Sequence, residues 1–450
     1  MPVRDMPRMS AAWRTSVFCA WALLAPAISA AQAQAPAAAP AEANHTPAAE
    51  QVFADVRSAL LQIRTLVAAN DQQSSIGSGF LVSEDGLAVT NYHVVSQFAL
   101  EPSAYRLRFL REDGSEGDLE LLAIDVAADL AVVRLAGSGL PHLQFDERAV
   151  HDELEKGERL FSIGNPLDLG FTIVEGNHNG RVEKSYVERL HFSGAINPGM
   201  SGGPTLTRDK RVAGVNVSKL LSGDLVSFLV PARFAAALVE RARSGEPMSL
   251  DAVRAEIQAQ MLTWQESLYA QLADLQPERT VLGPYQVAES RGPWFSCWAR
   301  TNEDVRPVPR VLEQTSQCAM QNWIFIAGDL DTGLLQRKYT YLKSRKLNAT
   351  QFAAYLTRHL RVDAAGSRRL TAPRCEDSFV AVSEQGPELK VVWCARAYKE
   401  FDGLYDVEMV ALTREGNEDA LLAQLSMRGA GYANALAEAR RMLEEIRWKP

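Results

Sequence analysis

The chain has 450 residues, 47% hydrophobic and 23% charged, which is too apolar for disorder and enough for a sizeable core. At about 150 residues per domain the length suits roughly three units. A formal charge of −8, with no dense Lys/Arg run, argues against nucleic acid or an anionic membrane surface as the main partner.

Residues 1–33 read as a signal peptide. Arg4, Arg8 and Arg14 form a basic leader, Val17 to Ala30 is apolar and Ala-rich, and Ala31-Gln32-Ala33 offers small residues at a signal-peptidase site. The apolar run is shorter than the ~20 residues a bilayer span needs, so no stable membrane span is expected after cleavage; an uncleaved anchor is the alternative. Cleavage after Ala33 removes three arginines and one aspartate, taking the net charge from −8 to −10. Residues 34–49, rich in Ala, Pro and Gln, read as a flexible tether.

Residues 50–245 form the first expected domain. Short apolar segments, among them 79–82, 87–90, 130–135, 160–163, 211–217 and 225–230, alternate with Gly, Asp and Asn. This pattern predicts a mostly antiparallel β architecture, either a pair of barrels or a sandwich. Residues 232–243 read as a short helix. A connector follows at 246–282, where Leu250, Val253, Ile257, Met261, Trp264, Leu268, Leu272 and Leu275 step by three or four, giving a long helix closed by Pro277. Packing against a neighbouring domain is the plain reading of that stripe, and a homo-oligomer contact through 249–275 is the alternative.

Residues 283–450 read as an α+β domain of unknown role. Apart from Cys19 in the signal, all cysteines lie here: Cys297, Cys318, Cys375 and Cys394. Strands at 377–383 and 388–394 around a 384–387 turn bring Cys375 opposite Cys394, which would leave Cys297 to Cys318; the other two pairings stay open. Disulfides persist in oxidising compartments, so the chain is expected to be exported, and periplasmic in a Gram-negative source. A zinc site is disfavoured, with no C-x2-C pair and no histidine nearby. The remaining histidines show no metal-ligand spacing, and no cofactor is expected.

Chemistry concentrates in three segments of the first domain. Gly77-Ser78-Gly79-Phe80-Leu81-Val82 continues to Thr90-Asn91-Tyr92-His93, Ala128-Asp129 opens an apolar strand, and Ile196-Asn197-Pro198-Gly199-Met200-Ser201-Gly202-Gly203-Pro204 crowds glycines around one serine. Singly, each has a bland reading: a half-buried imidazole, a turn aspartate, a Gly-rich loop. Jointly, in the order His, Asp, Ser, they supply a base, a group that orients it and a hydroxyl nucleophile, the set acyl transfer requires. Backbone N–H groups of Gly199 and Ser201 would face the developing oxyanion.

On these motifs, together with Ile163-Gly164-Asn165-Pro166 and Val212-Ala213-Gly214-Val215-Asn216, residues 50 to about 240 resemble the trypsin-like peptidases of the chymotrypsin clan. The likeness is greatest to their bacterial, exported HtrA-like branch. The resemblance implies two six-stranded β-barrels with the site in the cleft between them, His93 as general base, Asp129 as its orienter, Ser201 as nucleophile, and polypeptides as substrates. It also implies a primary specificity pocket lined by Ala195 and Ile196 on one side and Val215 to Ser218 on the other. No acidic residue sits there, which favours a small to medium apolar side chain before the cleaved bond. Met200 departs from the family, whose HtrA-like members carry Asn and whose trypsins carry an Asp that pairs with a newly cut amino terminus. It leaves open how the Gly199 N–H is held. No PDZ-like signature follows the domain. The competing reading is a catalytically silent relative that binds polypeptides.

Overall fold

A computed structural model describes residues 46–448 except 220–225, 321–322, 363–366, 382–385 and 415–417. The expected signal peptide, most of the tether and the start of the 384–387 turn lie outside the described residues. Thr46, whose hydroxyl accepts from the Ala49 N–H, caps α1 (Pro47–Val56), so the last residues of the expected tether are helical.

Seven short strands follow: β1 (Leu60–Val67), β2 (Gln73–Leu81), β3 (Leu87–Thr90), β4 (Tyr105–Leu110), β5 (Glu116–Asp118), β6 (Glu120–Asp125) and β7 (Leu130–Arg134). They form one antiparallel sheet in the order β5-β4-β1-β2-β3-β7-β6. The two edge strands are separated only by Leu119, whose N–H donates to Leu107 O at 2.9 Å. The sheet therefore returns on itself through one bent segment, where the resemblance implied a six-stranded barrel. The helix α2 (Tyr92–Leu100) leaves the end of β3. Six further strands, β8 (Arg159–Gly164), β9 (Thr172–Arg181), β10 (Leu190–Phe192), β11 (Pro204–Leu206), β12 (Val212–Lys219) and β13 (Ser227–Pro231), close into a barrel. The short α3 (Glu147–Val150) precedes this barrel and α4 (Ala232–Ala242) follows it.

The long helix α5 (Leu250–Asp274) starts at Ser249, whose side chain accepts from the Ala252 N–H. Its buried positions recur every three or four residues. Val253, Ile257 and Met261 join the core of the first sheet, whereas Leu268 and Leu272 join that of the C-terminal sheet. Burial of each such side chain contributes about 1.5–3 kcal/mol, so one stripe fastens two cores. The face on which the oligomer alternative rested is thus occupied within the chain.

The C-terminal part is α+β. Its strands are β14 (Pro277–Leu282), β15 (Tyr285–Ser290), β16 (Phe295–Thr301), β17 (Val311–Met320), β18 (Ile324–Ala327), β19 (Leu330–Thr332), β20 (Leu335–Ser344), β21 (Arg374–Ala381), β22 (Glu388–Ala397), β23 (Leu404–Thr413), β24 (Asp419–Gly431) and β25 (Arg447–Trp448). Seven of them make an antiparallel sheet, β16-β17-β20-β24-β23-β22-β21, accompanied by α6 (Ala349–Thr357) and α7 (Tyr432–Glu444). The disulfides are Cys297–Cys318 and Cys375–Cys394. Each joins directly opposed residues of an edge hairpin, so both outer strands are covalently fastened. No helix among the described residues is long and apolar enough to cross a membrane.

Candidate active site

His93 sits in the first turn of α2, just past the end of β3. Asp129 occupies the turn before β7 with φ 62°, a left-handed conformation that aspartate tolerates better than most side chains. This turn aims the carboxylate at α2. One oxygen accepts the His93 backbone N–H at 2.9 Å and the other lies 2.7 Å from His93 Nδ1. The Asn91 amide donates to the Asp129 carbonyl at 2.7 Å. Backbone and carboxylate of the aspartate are thus fixed to two residues at the start of the helix, Asn91 and His93. Burial works against a charged imidazole, but the charge and hydrogen bond of Asp129 outweigh it, and the His93 pKa is raised.

Ser201 lies in the β10–β11 connection. Gly202, with φ 83°, packs so tightly that a Cβ there would lie 2.3 Å from Ser78 O and 2.9 Å from Asn91 N. The Ser201 loop therefore abuts the segment leading into His93. The Ser201 hydroxyl donates to Val217 O at 3.3 Å, so the hydroxyl and the imidazole each hold a different partner in this structure.

Gly199 has φ 94°, and a Cβ there would strike Asn165 O at 2.4 Å, so the loop needs glycine at this position. Both of its peptide planes are held. The Leu167 N–H donates to Pro198 O at 3.1 Å, which turns the Gly199 N–H of this trans peptide away from the 165–167 segment. Ser78 Oγ donates to Gly199 O at 2.8 Å. Ser78 also accepts from Asn165 N at 2.9 Å, and its own N–H donates to Ser201 O at 2.8 Å. Met200 is buried in the barrel core with Leu160, Phe192 and Leu229.

Asn216 is fully buried. Its amide donates to Ile163 O and Met200 O at 3.0 and 3.2 Å, and its oxygen accepts from Ser162 and Thr205, each at 2.7 Å. Motif reading overlooked the roles of Ser78, Leu167 and Asn216, although Ser78 and Asn216 stood inside the motifs quoted. Of the expected pocket residues, Ala195 is half-buried, Ile196 and Val215 are buried in the cores, and the Ser218 side chain lies outside the described residues.

Residues 77–215 match the trypsin-like peptidase domain family. A serine protease HTRA1 of Xenopus laevis is 35% identical over 164 residues, 34% of this chain and 33% of that protein. A probable periplasmic serine endoprotease DegP-like of Chlamydia muridarum is 34% identical over 174 residues, covering 37% and 33%. The putative serine protease HhoB of Synechocystis is 33% identical over 177 residues, 38% and 40%. The chain thus spans about a third of the length of the first two relatives. Among solved structures, the serine endoprotease from Yersinia pestis aligns at a TM-score of 0.38 with 23% identity, covering 43% of this chain and 66% of that one.

Proposed function

We propose that this chain is an exported serine endopeptidase that hydrolyses polypeptides through an acyl-enzyme. The observation that carries the reading is the double attachment of Asp129 to His93, through the ring nitrogen at 2.7 Å and the backbone amide at 2.9 Å. The serine loop packs on the residue two before the histidine. With Nδ1–H held by the carboxylate, Nε2 is left as the proton acceptor.

In this reading the Ser201 hydroxyl leaves Val217 and turns to the imidazole; catalytic hydrogen bonds are often long or misaligned before substrate binds. His93 Nε2 takes its proton as Oγ attacks the scissile carbonyl carbon. The Gly199 and Ser201 N–H groups receive the oxyanion, a donor set in which one hydrogen bond is worth about 10²–10³ in turnover. The imidazolium then gives its proton to the leaving amine, and water repeats the sequence on the acyl-enzyme. The 195–196 and 215–218 segments hold no carboxylate, which supports a small to medium apolar residue before the cleaved bond. The leader sequence, the two disulfides and the periplasmic designation of a relative support an exported, periplasmic location.

A fluorophosphonate probe tests the assignment. Labelling of the wild-type chain at Ser201, lost in Ser201→Ala, with cleavage of fluorogenic peptides carrying Ala or Val before the bond, is the expected result. A folded, unreactive wild-type chain overturns it in favour of polypeptide binding without catalysis.

A further inference from the structure

We propose that the β18–β19 hairpin of the C-terminal part is a wall of the catalytic site, with Phe325 a positioning residue for His93. This rests on the assignment of His93 as the base. The two residues stand 232 positions apart in sequence, yet the Phe325 ring meets the His93 imidazole at 6.2 Å between centroids and 79° between planes. It meets the Tyr92 ring at 6.5 Å and 62°. The Tyr92 hydroxyl, on a fully buried side chain, donates to Ile326 O at 2.9 Å. Ile324, Ile326, Ala327 and Leu330 share one core with Tyr92, Val94 and Val95.

The far end of α2 is fastened to the same part of the chain. Arg369, only 7% exposed, pairs through Nη2 with Glu101 Oε1 at 2.9 Å, just past the end of α2, and through Nε with Asp329 Oδ1 at the hairpin tip at 3.1 Å. It also pairs with Glu400, which Arg254 of α5 reaches at 2.6 Å. Asp129 from the β6–β7 turn is the charged group that acts on the imidazole, with Asp125 and Arg189 beyond it; Arg369 and Glu400 on the hairpin side act on the neighbouring Tyr92, and Glu101 and Asp329 pair with Arg369 away from the ring.

Physically, Asp129 fixes Nδ1 but leaves the ring free to swing about that hydrogen bond. An aromatic edge across the ring limits the swing and keeps water off one side of the imidazole. Removing it lets water solvate the imidazolium, so the histidine should titrate at higher pH, and it blurs the aim of Nε2, where a misplacement of about 1 Å costs up to 10²-fold.

The test uses the full chain carrying Phe325→Ala or Phe325→Leu, with Tyr92→Phe as a second variant should Phe325→Ala not fold. Two readouts are taken: the NMR titration of His93, which needs no turnover, and the pH profile of kcat on a fluorogenic peptide. Phe325→Ala should raise the midpoint of the His93 titration, move the acid limb of kcat upward with it, and lower the plateau roughly 10-fold at unchanged KM. Phe325→Leu should restore most of the plateau, and Tyr92→Phe should move both readouts the same way by less. A loss of melting temperature with titration and plateau unchanged overturns the proposal. Should the wild type neither label nor turn over, the titration alone decides: a raised midpoint in Phe325→Ala upholds the wall even as the peptidase reading falls, and an unmoved one ends both.

Discussion

Ser78→Ala is the most informative single change, because it leaves every group of the proposed chemistry in place and removes only the hydroxyl that links the Gly199 carbonyl to the Asn165 N–H. Ser78 is fully buried, and its hydroxyl donates to Gly199 O while accepting from Asn165 N. Alanine strands one carbonyl and one N–H; at about 1–3 kcal/mol per unsatisfied buried group, the cost to stability is roughly 2–6 kcal/mol. The kinetic effect is bounded from above by the loss of an oxyanion donor, about 10²–10³ in kcat. Ser78 aims the donor rather than supplying it, and the Leu167 bond still orients the preceding peptide. The expected loss is therefore roughly 10–100-fold in kcat with KM nearly unchanged. Steady-state cleavage of a chromogenic peptide, run well below the urea midpoint of the variant, separates the two effects. A measurable fall in stability with kcat unaltered would refute the claim that this hydroxyl keeps the Gly199 peptide aimed.

Two further changes follow from the electrostatics. Asp129→Asn removes both influences that raise the His93 pKa and leaves burial, which lowers it; the acid limb of the kcat/KM profile should move to lower pH while the plateau falls on the order of 10⁴-fold, and an unmoved or rising limb contradicts the pairing. In stability, the wild-type pair contributes fully below the unfolded histidine's pKa and loses that contribution as pH rises through the higher folded value. In the C-terminal sheet, burial pushes the Glu408 carboxyl up to about 7. Its folded pKa exceeds the unfolded one, so stability falls as pH climbs from the ordinary glutamate range to about 7. Glu408→Gln should stabilise the chain at pH near 8 by at most about 3 kcal/mol and leave it nearly unchanged near pH 4; equal melting shifts at both pH values in differential scanning calorimetry would rule the carboxyl out as the cause.

Legibility in the sequence tracked how local each signal was. The stripe from Leu250 to Leu275 is a repeat within one element, and the helix runs Leu250–Asp274 as that period requires. The cysteine pairing was readable because a hairpin maps sequence distance onto register, which places Cys375 opposite Cys394. His93 and Asp129 were legible through motif order, which also suggested their meeting. The burial of the expected pocket residues was less legible: Ile196 and Val215 are 2% and 0% exposed, which depends on which face of the fold each side chain takes. Ser78 and Asn216 carry no local mark of their task either. A serine between two glycines and an asparagine in an apolar strand become structural pins only once residues from the 162–165 and 199–205 stretches converge on them. The Phe325 contact is further removed still, since nothing near position 325 distinguishes it from any aromatic residue in a short strand.

In the proposed mechanism the Gly199 donor must be held without an ion pair from position 200. A methionine offers no charge with which to hold the neighbouring glycine, and burial in the barrel core fixes its own side chain without aiming the Gly199 N–H. The peptides that flank Gly199 are held by the Leu167 N–H on Pro198 O, by the Met200 N–H on Asn197 O within the loop itself, and by Ser78 Oγ of β2 on Gly199 O. The Ser78 donor belongs to the first sheet and its acceptor to the β10–β11 connection of the barrel, so part of what would aim the proposed oxyanion donor depends on the docking of the two sheets. His93 and Asp129 come from that same first sheet, and the helix α5 roots it in the C-terminal core. In the proposed mechanism the loop thus draws part of its order from tertiary docking, and whatever loosens the contact between the sheets should weaken the proposed oxyanion site before it disturbs the His93–Asp129 pair.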